Sequence, residues 1–259
     1  MNITSTPYDD VFRTLLNDCS YLIIPVINEV FGEHYTGKEK IEFYPNEHFI
    51  NQQGGSENER ITDSNFRIIG DEVKKYHLEC QSSADDSMLV RIFEYDAQIA
   101  LDEGEIKENV LTVTFPHSSV LFLRCDKNTP DKMKVVIVTP GTNASYEIPV
   151  MKSQNYTIDE IFEKNLLFLI PFYIFTYESR FEEYNNDMKK IEMLKSEYED
   201  IKNKLEELMN NNVINEFTRC TISDMSNRVL EHIAKKYENV KEGVESVMWW
   251  KSSSSGILY

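Results

Sequence analysis

Paired cysteines, long apolar runs and positive charge are what this sequence has least of. Its four cysteines, Cys19, Cys80, Cys125 and Cys220, lie far apart and form no CxxC pair. That spacing excludes a zinc site built from cysteine alone and offers no disulfide framework. Thiols placed this way fit a reducing compartment, so the cytoplasm is the expected location. The longest apolar run, LLFLIPFYIF at 166–175, is broken by Pro171. It falls short of the roughly 20 residues that a membrane-spanning helix requires. The opening residues, MNITSTPYDD, have no basic segment followed by an apolar one, so no secretory signal and no membrane partner are expected. Basic residues number 27 against 44 acidic ones, for a net charge of −17. Such a chain has no global attraction for nucleic acid or for an anionic bilayer. Contact with a nucleic-acid backbone would need a local basic rim, for which Arg60, Arg67, Lys74, Lys75 and Arg91 are the candidates.

What is present is the composition of a globular protein. The chain has 259 residues, of which 41% are hydrophobic and 27% charged, enough for one main domain with a helical extension. Val11, Leu15, Leu22, Val26 and Val30 recur at helical spacing, with Pro25 expected to separate two helices. IEFYP, ITDSNFRII and YHLECQ read as strands within 41–82, and NQQGGSENER at 51–60 reads as a polar loop. Residues 85–103 predict a helix capped by Asp85 or Asp86, with Met88, Ile92, Tyr95 and Ile99 on one stripe. Four short apolar strands follow between 110 and 150. Thr157 and Glu160 form a capping box that opens a helix over 157–173.

From Tyr177 to Leu208 apolar residues are spaced by threes and fours among charged ones, which predicts one long helix with a narrow seam. That seam needs a partner. The expected partner is a helix near 214–238 folding back after the Asn triplet at 210–212, and the alternative is a coiled coil with a second copy of the chain. In the fold-back, Val213, Phe217, Ile222, Met225, Val229 and Ile233 are expected to face the seam. The order of elements predicts an α/β or α+β core over 1–175, a helical hairpin or coiled-coil extension over 176–240, and a frayed tail over 241–259.

The chemistry-bearing words lie early. In HLECQ, strand alternation sends His77, Glu79 and Gln81 to one face and Leu78 and Cys80 to the other. The polar face reads either as the wet side of an antiparallel strand or as a metal site. Asp63 lies on the preceding predicted strand, and pairing the two strands would bring two carboxylates together. A hard divalent cation relieves their repulsion and leaves places for phosphate oxygens.

In order, DDVFRTLL, RITDSNF, YHLECQSS and RIFEYD resemble the PD-(D/E)XK nuclease superfamily, and within it the recombination-promoting nuclease and transposase family of bacteria. The specific motifs fall within 9–95. The resemblance implies a restriction-endonuclease-like core, a mixed sheet flanked by helices, and Mg²⁺- or Mn²⁺-dependent endonuclease activity on DNA linked to recombination or mobile elements. It also implies roles. Asp63 and Glu79 match the metal-binding acids, and Gln81 stands where the wider superfamily more often has Lys. Asp9, with Asp10 adjacent, matches an acid on the first helix, followed by Phe12 and Arg13. Arg60 matches the basic residue before the Asp. Arg91 and Tyr95 match the Arg and Tyr of the next helix. Lys74 and Lys75 are added as phosphate contacts, and His77 as a residue sharing the face of Glu79. The alternative function is a catalytically inactive, nuclease-like interaction protein that associates through its C-terminal helices, as a homo-oligomer or with another partner.

Overall fold

Helical spacing at the start of the chain becomes α1 (Pro7–Asp18) and α2 (Ile23–Phe31), joined by a 3-10 turn at Ser20–Leu22. The break therefore precedes Pro25. That proline sits in the first turn of α2, where its missing N–H leaves no helical bond unmade. The computed structural model describes residues 7–44, 47–51, 57–61, 64–82 and 87–248. Strands β1 (Lys40–Phe43), β2 (Glu47–Asn51), β3 (Glu57–Ile61), β4 (Ser64–Ile69) and β5 (Val73–Gln81) come next. β2 and β3 pair with each other as a separate antiparallel hairpin, and most of β3 falls within the 51–60 stretch whose polarity reads as a loop.

After β5 come α3 (Met88–Asp102), a small hairpin of β6 (Glu105–Lys107) and β7 (Val110–Thr112), then β8 (His117–Phe122), β9 (Lys132–Thr139) and β10 (Thr142–Lys152). Asp85 and Asp86, the expected caps of α3, lie outside the described residues, and Ser87 occupies the cap position. The main sheet has six strands in the order β1-β4-β5-β8-β10-β9. β1, β4 and β5 form an antiparallel meander. The chain then crosses through α3 to β8, which runs parallel to β5, and β10 is parallel to β8. β9 closes the far edge antiparallel to β10. The fold is a mixed sheet flanked by helices, as the α/β or α+β expectation requires.

Both faces of the central strands are covered. Tyr76, Leu78 and Cys80 join a large apolar cluster with α1, α2 and the C-terminal helices. On the opposite face Met88 and Ile92 of α3 pack on Val120, Phe122 and Ile148. All four residues of the α3 stripe are buried. β5 is thus interior on two sides, the usual state of a strand with a parallel neighbour and a crossover helix.

The capping box at Thr157 and Glu160 is present, but it opens only a short α4 (Ile158–Glu163). Asn165 then adopts φ 55°, and a 3-10 stretch, Leu167–Phe172, carries Pro171. The single helix expected from 176 is three: α5 (Phe175–Glu178), α6 (Phe181–Asn185) and α7 (Met188–Asn210). Asp187 caps α7, its side chain accepting from the Lys189 N–H, and this cap fixes the start that the apolar spacing obscures.

The seam of α7 is filled within the chain, but by a different element from the one expected. Ile191, Leu194, Tyr198, Ile201 and Leu205 are buried. α7 packs mainly against α9 (Glu238–Met248), while α8 (Glu216–Ile233) lies on α1 and the 3-10 stretch. Val213 and Phe217, expected to face the seam, are more than half exposed. Gly243 lets α9 approach: a Cβ there would meet Ile191 Cγ2 at 3.0 Å. Residues 241–248 of the expected frayed tail are therefore packed helix, with Val244, Val247 and Met248 buried. Residues 249–259 lie outside the described residues. The buried side chains of α7, α8 and α9 belong to the same apolar cluster as α1, α2 and the sheet, so the boundary expected near 175 does not interrupt the core.

Candidate functional site

β5 places His77, Glu79 and Gln81 on one face, as alternation predicts. That face is not wet. α3 lies over it, and His77 and Glu79 are 0% and 4% exposed. A buried carboxylate and a buried imidazole must find partners, because unpaired burial of either is costly. They find each other. His77 Nε2 lies 2.9 Å from Glu79 Oε1, and His77 Nδ1 lies 2.7 Å from Asp96 Oδ1 on α3. Asp96 is itself fully buried and is held further by the Ser118 hydroxyl at 2.5 Å and the Tyr146 hydroxyl at 2.9 Å, which donate to its two oxygens.

An imidazole between two carboxylates can satisfy both only by donating from both nitrogens, which requires the charged form. Burial on its own pushes the His77 pKa down. The hydrogen bonds and charges of Asp96 and Glu79 outweigh it and raise the group from 6.5 to about 10. Burial and then the Asp96 charge push the Tyr146 phenol far up, so it stays a donor. The result is an internal chain, Glu79–His77–Asp96, with two hydroxyls at its inner end. Tyr95 closes one side, its ring edge-on to His77 at 5.8 Å between centroids.

Of the remaining candidates, Asp63 lies outside the described residues. It immediately precedes Ser64, and Ser64 pairs with Leu78, the residue before Glu79. Arg60 is opposite His48 in the β2–β3 hairpin, and its side chain lies outside the described residues. Arg91 is one helical turn before Tyr95 on α3, with its guanidinium 3.9 Å from Met88 Sδ. Lys74 is bonded to both oxygens of Glu33, and Lys75 pairs with Glu103. Both lysines are at the far end of β5, roughly 15 Å from Glu79 at strand rise, so neither is brought to the acid.

The first helix approaches the other end of β5. The Leu123 N–H donates to the Gln81 carbonyl at 2.8 Å, and the next residue, Arg124, reaches the Tyr8 hydroxyl of α1 at 3.4 Å. Arg124 is fixed there by both oxygens of Glu178. The N-terminus of α1, with Asp9, therefore stands at the end of the sheet that carries Gln81. Asp10 points elsewhere. It lines a groove with residues of α8 and α9 rather than the polar face of β5.

Sequence spacing alone does not find Asp96, Ser118 or Tyr146. One signal was available for Asp96: it stands one turn after Ile92 and one before Ala100, a carboxylate at a core position of an apolar stripe.

The oxygen donors at the Gln81 end, the Glu79 carboxylate and the Gln81 amide, suit a hard divalent cation, and Cys80 faces away. Among the described residues no group of three His, Cys, Asp or Glu is placed to hold a metal ion. Compared with protein-family models, with curated proteins and with solved structures, the chain finds no match.

Proposed function

We propose that the chain is a metal-dependent deoxyribonuclease of the PD-(D/E)XK type. The reading is carried by one observation: Glu79 and Gln81 share a face at the C-terminal end of β5, the last strand of the β1–β4–β5 meander before the crossover to parallel β8. That meander, the crossover through α3 and the α1 terminus beside Gln81 support the restriction-endonuclease-like core that the sequence resemblance implies. Asp63 and Glu79 would hold Mg²⁺ or Mn²⁺. When bound, such an ion polarises a phosphodiester and lowers the pKa of water beside it.

The chain's own residues divide the remaining work. His77 clamps Glu79 through Oε1, so the carboxylate enters the site in one orientation. Asp96 supplies the counter-charge that keeps His77 a double donor. Gln81 has both an acceptor and a donor and orients the attacking water, but as a neutral amide it adds no charge at the phosphate. Asp9 is the auxiliary acid better placed for this site than Asp10. The alternative reading, association through the C-terminal helices, loses its main support because the α7 seam is already filled by α9.

The test is Mg²⁺-dependent nicking of supercoiled plasmid DNA. Wild type should nick; Asp63→Ala and Glu79→Gln, both folded by circular dichroism, should not. Cleavage unchanged in both variants would remove the reading.

A further inference from the structure

Outside the β5 face, the feature that carries most is the groove of about 520 Å³ between α1, α8 and α9. Its walls present Arg228, His232, Lys235 and Lys241, with Asp10 and Glu231 as the opposing charges. In a chain of net charge −17 this is a local reversal of sign. Several basic groups nearer the sheet are neutralised within the chain: Arg67 by Glu42, Lys74 by Glu33 and Arg124 by Glu178. Among the described residues Arg228 and Lys235 form no ion pair, and Lys241 has only Glu245 at 3.5 Å.

Helix capping accounts for part of this pattern and not for the rest. His232 and Lys235 stand at the C-terminus of α8, where a cation is favoured. Arg228 is more than a turn inside that helix, and Lys241 lies near the start of α9, where the helix dipole disfavours positive charge. Both nevertheless face the same groove.

The groove and the Gln81 end of β5 are linked by a short chain of contacts that begins at Tyr8. The Tyr8 ring packs edge-on against His232 at 5.2 Å, while its hydroxyl meets Arg124, which follows the residue bonded to the Gln81 carbonyl. Tyr8 therefore stands between the groove and the Gln81 end of the sheet. We propose that this groove binds the phosphodiester backbone of DNA and guides it to that end of the sheet, which rests on the nuclease reading above.

The test separates binding from cleavage. Anisotropy of a fluorescein-labelled 20-base-pair duplex is measured in EDTA across a salt series. The proteins are wild type, Arg228→Glu/Lys235→Glu, and Lys127→Glu/Lys189→Glu as a control at exposed positions that do not line the groove. The groove variant should bind at least about tenfold more weakly. Its log–log salt slope should be smaller by about 2, at about 0.9 for each phosphate that the protein no longer neutralises. The control should stay close to wild type. A wild type that does not bind, or a groove variant that binds like the control, overturns the groove assignment. A wild type that binds through the groove but does not nick DNA with Mg²⁺ overturns the nuclease reading and leaves the groove standing.

Discussion

Replacing Asp96 with Asn changes the buried network by one charge and almost no volume, so its cost reads the electrostatics without a cavity. Asp96 accepts from His77 at 2.7 Å, Ser118 at 2.5 Å and Tyr146 at 2.9 Å. An amide at this position has one acceptor oxygen and must turn its NH₂ toward at least one of those donors. Three charge-assisted bonds each weakened by about 1 kcal/mol give a loss of about 3 kcal/mol. Removing one partner of a buried ion pair costs a similar amount, about 3–5 kcal/mol. The expected destabilisation at pH 7 is therefore about 3–4 kcal/mol, a large part of the total stability of an ordinary domain.

The pH dependence makes the test specific. His77 is raised from 6.5 in the unfolded chain to about 10 in the folded one. Its contribution is fully present below about pH 6.5, declines as pH rises above that, and is gone once pH passes about 10. At 1.36 kcal/mol per pH unit, that window corresponds to roughly 4–5 kcal/mol. In Asp96→Asn the imidazole keeps only Glu79, its folded pKa falls, and the window narrows. Urea unfolding followed by circular dichroism in EDTA, from pH 6 to pH 10, should show the gap between wild type and variant greatest near pH 6–7 and shrinking toward pH 10. Other groups titrate in this range in both proteins and cancel in the difference. A gap below about 1 kcal/mol at pH 7, well under what a buried charge should cost, would refute the reasoning. So would a gap that stays constant across the range, because His77 would then not be the charged centre of the network.

Three further outcomes follow from particular contacts. Gly243→Val should destabilise by about 1–3 kcal/mol, since a Cβ at Gly243 already lies 3.0 Å from Ile191 Cγ2 and two more methyls have no room; a thermal midpoint at or above wild type would show that α9 is free to shift. Leu194→Glu/Ile201→Glu buries two carboxylates where the native side chains are 1% and 0% exposed, and should destabilise the shared core without a change of oligomeric state. Light scattering that finds a wild-type dimer converted to a folded monomer would instead place the α7 seam between two chains. Gln81→Ala should slow cleavage by about 10²–10⁴-fold with Mg²⁺ affinity nearly unchanged, and loss of metal binding would make Gln81 a ligand or a support.

The features that were legible in the sequence are those whose cause is local. Alternation in YHLECQ sets the two faces of β5 through strand geometry alone. The 3.6-residue period sets the α3 stripe, and the Thr157–Glu160 box fixes the start of α4 within a few bonds of itself. The same local reading fails where a short polar signal competes with a longer apolar one. The seam from Tyr177 onward suggests one helix, yet Asn185–Asn186–Asp187 contains the cap that begins another, and the cap prevails because an N-terminal N–H left unpaired costs more than a lapse in spacing. The Asn triplet at 210–212 does end α7, but it does not decide which later helix returns to the seam. That depends on close approach, which the small residue Gly243 allows on α9.

Whether the polar face of β5 is wet does not follow from β5 by itself. Alternating polar residues serve equally a solvated antiparallel strand and a strand whose second face is covered by a crossover helix. The parallel neighbour that requires such a crossover lies far along the chain, in β8. The discriminating residue is on the covering helix: an acid at a core position of α3 has to be neutralised by something on the sheet beneath it. β5 offers two basic side chains on that face, and Lys75 is already paired with Glu103, which leaves His77. Asp96 predicts a buried partner for His77, and the second N–H of a buried, charged His77 in turn requires an acceptor, which Glu79 supplies from two residues away. His77 and Glu79 stand out in the sequence, and Asp96 does not. Their connection follows only when the requirement that buried charges be paired is applied across the helix and the strand together.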